Sequence, residues 1–143
     1  MVKQGAIAAG EPMNVVVPTG NFGNILAAYF AKQMGLPIQK LIIASNENKV
    51  LVDFFDTGAY DRNRDFILTT SPSMDILVSS NLERLLYLMA DESTEAVQTF
   101  MDQLKEIGRY EVTEAMKEKA KDFYADYATE EEVAAQIAAL YHA

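Results

Sequence analysis

A chain of 143 residues, 50% apolar and 23% charged, is long enough for one domain with a buried core and too apolar to remain disordered. Its formal net charge of −9 disfavours polyanions, whose sequence-independent binding draws on Lys and Arg, so nucleic acid is not an expected partner. The absence of cysteine removes disulfides, thiolate metal sites and thiol nucleophiles, and a lone histidine, His142, argues against a His-rich metal site or a histidine-based triad.

Residues 13–17 (MNVVV) form a β-branched run stopped by Pro18-Thr19-Gly20, the pattern of a buried strand entering a turn. Residues 25–34 (ILAAYFAKQM) are helix formers with apolar residues on most sides, and Gly35 and Pro37 supply the stop. Residues 41–44 repeat the strand pattern after a short connection, which predicts two parallel strands with the helix as crossover. Residues 49–55 are read as a helix closed by Asp56-Thr57-Gly58, and residues 66–70 as a short strand ending at Ser71-Pro72-Ser73. Ser80-Asn81-Leu82-Glu83 has the spacing of a capping box, with Leu82, Leu85, Leu86 and Met89 on the apolar face behind it.

From Asp91 charged helix formers dominate. Helices are predicted over 94–107 and 113–127, and Thr129-Glu130-Glu131-Glu132 is a capping box opening another to about Tyr141. The expected fold is α/β: a short parallel sheet with crossover helices over residues 1–90, then a helical region over 91–143. No apolar run approaches the ~20 residues of a membrane span, and residues 1–10 lack the basic-then-apolar pattern of a secretion signal. The cytoplasm is the expected location.

The chemistry is concentrated in Pro18-Thr19-Gly20-Asn21-Phe22-Gly23-Asn24, between a strand and a helix start. A helix N-terminus leaves about four backbone N–H groups unpaired and carries partial positive charge, so a phosphate settles there without a lysine. Gly20 and Gly23 would supply positive φ or close backbone approach, and Thr19, Asn21 and Asn24 uncharged donors. A Walker loop would need Gly-Lys-Ser/Thr and a dinucleotide fingerprint Gly-x-Gly-x-x-Gly; only Gly20-x-x-Gly23 is present. Read alone, the same residues also suit a plain turn that caps a helix.

The run Val17-Pro18-Thr19-Gly20-Asn21-Phe22-Gly23-Asn24-Ile25-Leu26-Ala27-Ala28-Tyr29, continued by Met34-Gly35-Leu36-Pro37-Ile38, resembles the middle of threonine synthase, a pyridoxal-phosphate enzyme of the tryptophan-synthase-β fold type. Ala44-Ser45-Asn46-Glu47-Asn48, Thr57-Gly58-Ala59-Tyr60, Ser71-Pro72-Ser73-Met74-Asp75-Ile76-Leu77 and Ser80-Asn81-Leu82-Glu83-Arg84 resemble the family in the same order, so residues 11–90 are covered closely and the remainder loosely. The resemblance implies that O-phospho-L-homoserine and water become L-threonine and phosphate. It places Gly20, Asn21, Phe22, Gly23 and Asn24 at the cofactor phosphate, though the family often carries Asp where this chain has Asn24. Asn46, Asn48, Ser71, Ser73 and Asp75 match loops beside the pocket, and Arg84 is a candidate for substrate phosphate.

The family's Schiff-base lysine belongs to an earlier segment with no counterpart here, and none of Lys32, Lys40 or Lys49 lies in that lysine motif. Lys32 and Lys40 read as solvated residues at the ends of the first crossover helix. The expectation is therefore an internal fragment of the enzyme, partnered by the remainder of the same polypeptide, holding part of a cofactor site and no catalytic residue, and inactive alone. Two other readings use the same residues: a stand-alone module for a nucleotide or phosphorylated metabolite, and an interaction domain whose acidic helices bind a partner.

Overall fold

A computed structural model describes residues 2–142. Strand β1 (Met13–Pro18) ends at proline, and the next residue, Thr19, donates its N–H to the Ala44 carbonyl at 2.8 Å. The crossover helix α1 (Gly23–Gln33) is stopped by Gly35, whose φ of 100° no other residue adopts readily. It returns the chain to β2 (Ile38–Ser45), which pairs parallel with β1 so that Val15 faces Leu41 and Val17 faces Ile43. Next come α2 (Val50–Thr57), capped by the left-handed Gly58, and the short strand β3 (Ala59–Asp61).

Beyond the loop that follows lie α3 (Leu82–Met89), α4 (Thr94–Glu106), β4 (Arg109–Glu111), α5 (Glu114–Lys119), β5 (Phe123–Tyr127) and α6 (Glu130–Tyr141). The sheet order is β1-β2-β5, all parallel, while β3 and β4 form a separate antiparallel ribbon with Tyr60 opposite Tyr110. The α/β class and the parallel sheet with its crossover helix agree with the sequence expectation. So do the capping box at Thr129 and Glu132 and the helix closed by Gly108, which starts at a Ser93 cap.

Three local expectations are corrected. Residues 113–127 are not one helix: α5 stops after a turn and a half, and residues 123–127 become the third parallel strand. Period-2 exposure explains the change, with Phe123 7% exposed inside and Tyr124 49% exposed outside, and β2 offers a free edge. Residues 66–70 join no strand: side chains of Asn48 and Asp75 bond Ile67 and Thr69 where a neighbouring strand would. The capping box at Ser80 does not form: Asn81 is the N-cap, without a side-chain cap bond, and both Ser80 donors are engaged elsewhere. The lysines also differ from expectation. Lys32 pairs with Asp122 at 2.7 Å, and Lys40 lies within β2 with its ammonium 4.2 Å from the Tyr124 ring centre.

The core centres on aromatic rings from distant segments. Phe123 of β5 stacks at 5.2 Å on Phe55 of α2 and lies 5.7 Å from Phe22, with Tyr29 of α1 at 5.4 Å. Each ring removes a large apolar area from water and gains from offset contact with its neighbours. Phe123→Ala therefore should lower the unfolding free energy by about 3–5 kcal/mol. Urea denaturation checks this; a loss under ~1 kcal/mol, the scale of an exposed site, would contradict the buried strand.

Candidate functional site

The loop leaving β1 turns on Phe22, not on a glycine. Phe22 has φ 63° and ψ −1°, whereas neither Gly20 nor Gly23 has positive φ, which corrects the conformational role expected of them. A left-handed bulky residue costs about 1–2 kcal/mol and persists only when its surroundings hold it. Here the ring is 1% exposed between Phe55 and Phe123. Gly20 serves close approach instead: a Cβ there would lie 3.2 Å from the Ser73 carbonyl oxygen and 3.5 Å from the Met74 Cα.

The oxygens of Gly20 and Asn21 are engaged by residues 79–81. Ser79 Oγ donates to the Gly20 carbonyl at 3.0 Å, and Asn81 Nδ2 donates to the Asn21 carbonyl at 2.9 Å. Asn21 Oδ1 receives both the N–H and the hydroxyl of Ser80 at 2.8 Å; a backbone N–H can only donate, so the amide oxygen must face it. The Thr19 hydroxyl donates to the Val17 carbonyl at 2.6 Å and is therefore occupied.

The donors are left over. Among the described residues, no protein acceptor takes the N–H groups of Gly20, Asn21, Phe22, Gly23, Asn24 or Ile25; the first helical bond from this stretch is Leu26 N–H to the Phe22 carbonyl at 3.1 Å. These groups border an open cleft of ≈ 300 Å³ whose far wall is Ser73, Met74 and Asn81, and no charged side chain lines it. Unpaired N–H groups at the positive end of an 11-residue helix, with no carboxylate to repel it, fit a phosphate group.

The other sequence-predicted residues fall into two groups. Asn46, Asn48 and Asp75 converge with Thr69 in a buried network. Asn46 Nδ2 donates to Asp75 Oδ1 at 2.7 Å, and Asn48 Nδ2 donates to the same oxygen at 3.1 Å. The Thr69 N–H reaches Asp75 Oδ2 at 2.9 Å, and its hydroxyl reaches Oδ1 at 2.7 Å. Asn48 also grips Ile67 at both ends, accepting its N–H at 3.0 Å and donating to its carbonyl at 2.7 Å, as a neighbouring strand would. Ser73 borders the cleft, but Ser71 is exposed, its N–H bonded to Thr69 Oγ1 at 3.1 Å. Arg84 is exposed on α3 and bonds Asn81 Oδ1. The structure adds Ser79, Ser80 and Asn81 to the site, residues whose sequence pattern signals only a helix start.

No protein-family model matches the chain. Threonine synthase-like 1 of Homo sapiens is 49% identical over 144 residues, 99% of this chain and 19% of that protein. Threonine synthase of Saccharomyces cerevisiae is 45% identical over 92% of this chain and 27% of its own length. The PLP-bound threonine synthase from Brucella melitensis superposes with a TM-score of 0.86 at 42% identity, covering 92% of this chain and 28% of that one. The crystal structure of threonine synthase from yeast gives 0.78 at 46% identity over 83% of this chain.

By sequence and fold, the chain belongs with one segment of the threonine synthases. It spans 19% to 28% of the length of these relatives, which form a family that uses pyridoxal phosphate. Neither the stand-alone module nor the interaction domain is favoured by them. No helix among the described residues is long and apolar enough to cross a membrane, and no group of three or more acidic or histidine side chains there could hold a metal ion.

The Thr69 N–H, foremost, then the Thr69, Asn46 and Asn48 side chains hold the Asp75 carboxyl below its ordinary value of 3.8, against the opposing effect of burial. A lowered folded pKa adds stability that is fully present above the unfolded value and disappears as pH falls through the folded one. The urea midpoint should therefore drop as pH falls below about 4. Asp75→Asn should flatten that drop and lower the midpoint at pH 7, since in either orientation the amide NH2 would face a donor, the Thr69 N–H or the two asparagine amides. A variant curve parallel to wild type below pH 4 would contradict this.

Proposed function

We propose that the loop from Gly20 to Asn24 holds the phosphate of pyridoxal phosphate in a threonine synthase-type enzyme, whose whole chain converts O-phospho-L-homoserine and water to L-threonine and phosphate. Six adjacent unpaired N–H groups at a helix start carry this reading, and they lie in a segment 42% identical to a PLP-bound threonine synthase. Hydrogen bonds from such groups to a charged phosphate contribute about 1.5–3 kcal/mol each when water is kept away.

In this arrangement Gly20, Asn21, Phe22, Gly23 and Asn24 bind through the backbone, and the missing side chain at Gly20 lets the 73–74 backbone approach closely. The bound cofactor would supply an electron sink for reaction at the substrate. Asn46, Asn48 and Asp75 would act at one remove, fixing the loop that presents Ser71 and Ser73 towards substrate, and Arg84 would offer a bidentate donor to its phosphate. Support for these assignments is their grouping around one loop: Asp75 and Ser73 lie two residues apart, and the cleft takes in Ser73 and Asn81, the partner of Arg84.

Among the described residues no lysine borders this cleft, so the chain alone should not bond the cofactor covalently. It should bind the phosphate end weakly and release no phosphate from O-phospho-L-homoserine. Titrating pyridoxal phosphate and inorganic phosphate into the labelled chain should shift the amide resonances of residues 20–25 first. Gly20→Val, which must displace the Ser73 carbonyl, should weaken binding about tenfold or more. Shifts confined to other residues, or steady turnover by the isolated chain, would reject the reading.

A further inference from the structure

The hydrogen-bonding side of the phosphate loop continues inward to a single buried hydroxyl. Ser79, 5% exposed, bonds the Gly20 carbonyl through its own hydroxyl, and its backbone N–H donates to Tyr60 Oη at 2.8 Å. Tyr60 Oη in turn donates to the Leu77 carbonyl at 3.0 Å, so one oxygen fixes both ends of the 77–79 turn. The Tyr60 ring is 1% exposed, and it lies flat on Tyr110 with centres 5.2 Å apart and 4° between planes. Burial raises the hydroxyl to about 12, so it stays protonated, donor and acceptor at once, across physiological pH.

What this path controls is direction. A trans peptide is planar, so the carbonyl of one residue and the N–H of the next point opposite ways. Ser79 does not border the cleft, so fixing the Gly20 carbonyl towards it turns the Asn21 N–H away from Ser79, and Asn21 is a residue that borders the cleft. Held towards Ser79 and Asn81, the Gly20 and Asn21 carbonyls receive no N–H from Asn24 or Ile25, and no extra helical turn closes over the cleft.

We infer that Tyr60 is a positioning residue for the anion loop, acting through Ser79 on the peptide that follows Gly20. The inference rests on the reading that this loop binds phosphate, and it concerns how the N–H groups are aimed before the anion arrives. Tyr60→Phe keeps the ring in its stack and removes only the oxygen. Tyr110→Phe is the matching control, since its hydroxyl takes part in no hydrogen bond among the described residues.

The test is the dissociation constant for inorganic phosphate, followed by the amide resonances of residues 20–25 in the 143-residue chain, at a temperature where every variant is fully folded. Tyr60→Phe and Ser79→Ala should each raise it about three- to thirtyfold. In the free protein both should also move the Asn21 amide resonance, while Tyr110→Phe changes neither quantity, whatever it does to the melting temperature. If Tyr60→Phe does not fold, Ser79→Ala decides. Wild-type binding with unchanged constants in the folded variants overturns the inference alone; no phosphate binding by the wild type overturns the loop reading and the inference with it.

Discussion

Burial of the Phe22 ring is the contact on which the rest of the architecture leans. It joins the end of β1 to α2 through Phe55 and to β5 through Phe123, segments roughly thirty and a hundred residues away. Full burial of such a side chain is worth about 1.5–3 kcal/mol, which exceeds the cost of its left-handed backbone. The ring therefore holds a conformation the backbone alone would avoid, and α1 starts one residue later. A glycine at the same place would adopt the dihedral freely and anchor nothing.

How much of this is readable in advance depends on the range of the interaction. The β1–turn–α1–β2 unit is legible because its signals are local: a β-branched run, a proline, and a glycine that ends the helix. Residues 123–127 are not, because a strand there exists only through pairing with β2, some eighty residues earlier, while the preceding Glu and Lys residues favour helix. Ser80 misleads for the same reason. Its hydroxyl has a partner 59 residues away in Asn21, and that contact displaces the local capping box. The loop from Gly20 to Asn24 is visible from its residue types, but its turning residue is not, since positive φ is assigned to glycine by statistics and to Phe22 by packing.

Side chains replace regular backbone pairing on both sides of the loop region. Asn48 and Asp75 stand in for a missing strand along residues 67–69, and Ser79, Ser80 and Asn81 donate to the oxygens of residues 20–21. Among the described residues no buried side-chain nitrogen or oxygen lacks a partner, which is the condition under which a polar network rigidifies a structure rather than weakening it. The irregular segment 62–81, with only one 3-10 turn among the described residues, is thus held largely by side-chain hydrogen bonds.

The absence of charged side chains around the cleft has an ionic consequence. A phosphate site built from Lys or Arg loses affinity as salt screens the attraction. Here the local donors are neutral, and the longer-range charge felt by an approaching anion is the repulsive net −9 of the chain. At 0.15 M ionic strength that repulsion is screened beyond ~8 Å, while hydrogen bonds at the helix start are little changed. Added inert salt whose ions do not compete for the cleft should therefore leave phosphate affinity level or slightly higher, the reverse of the slope that a lysine-based site would show.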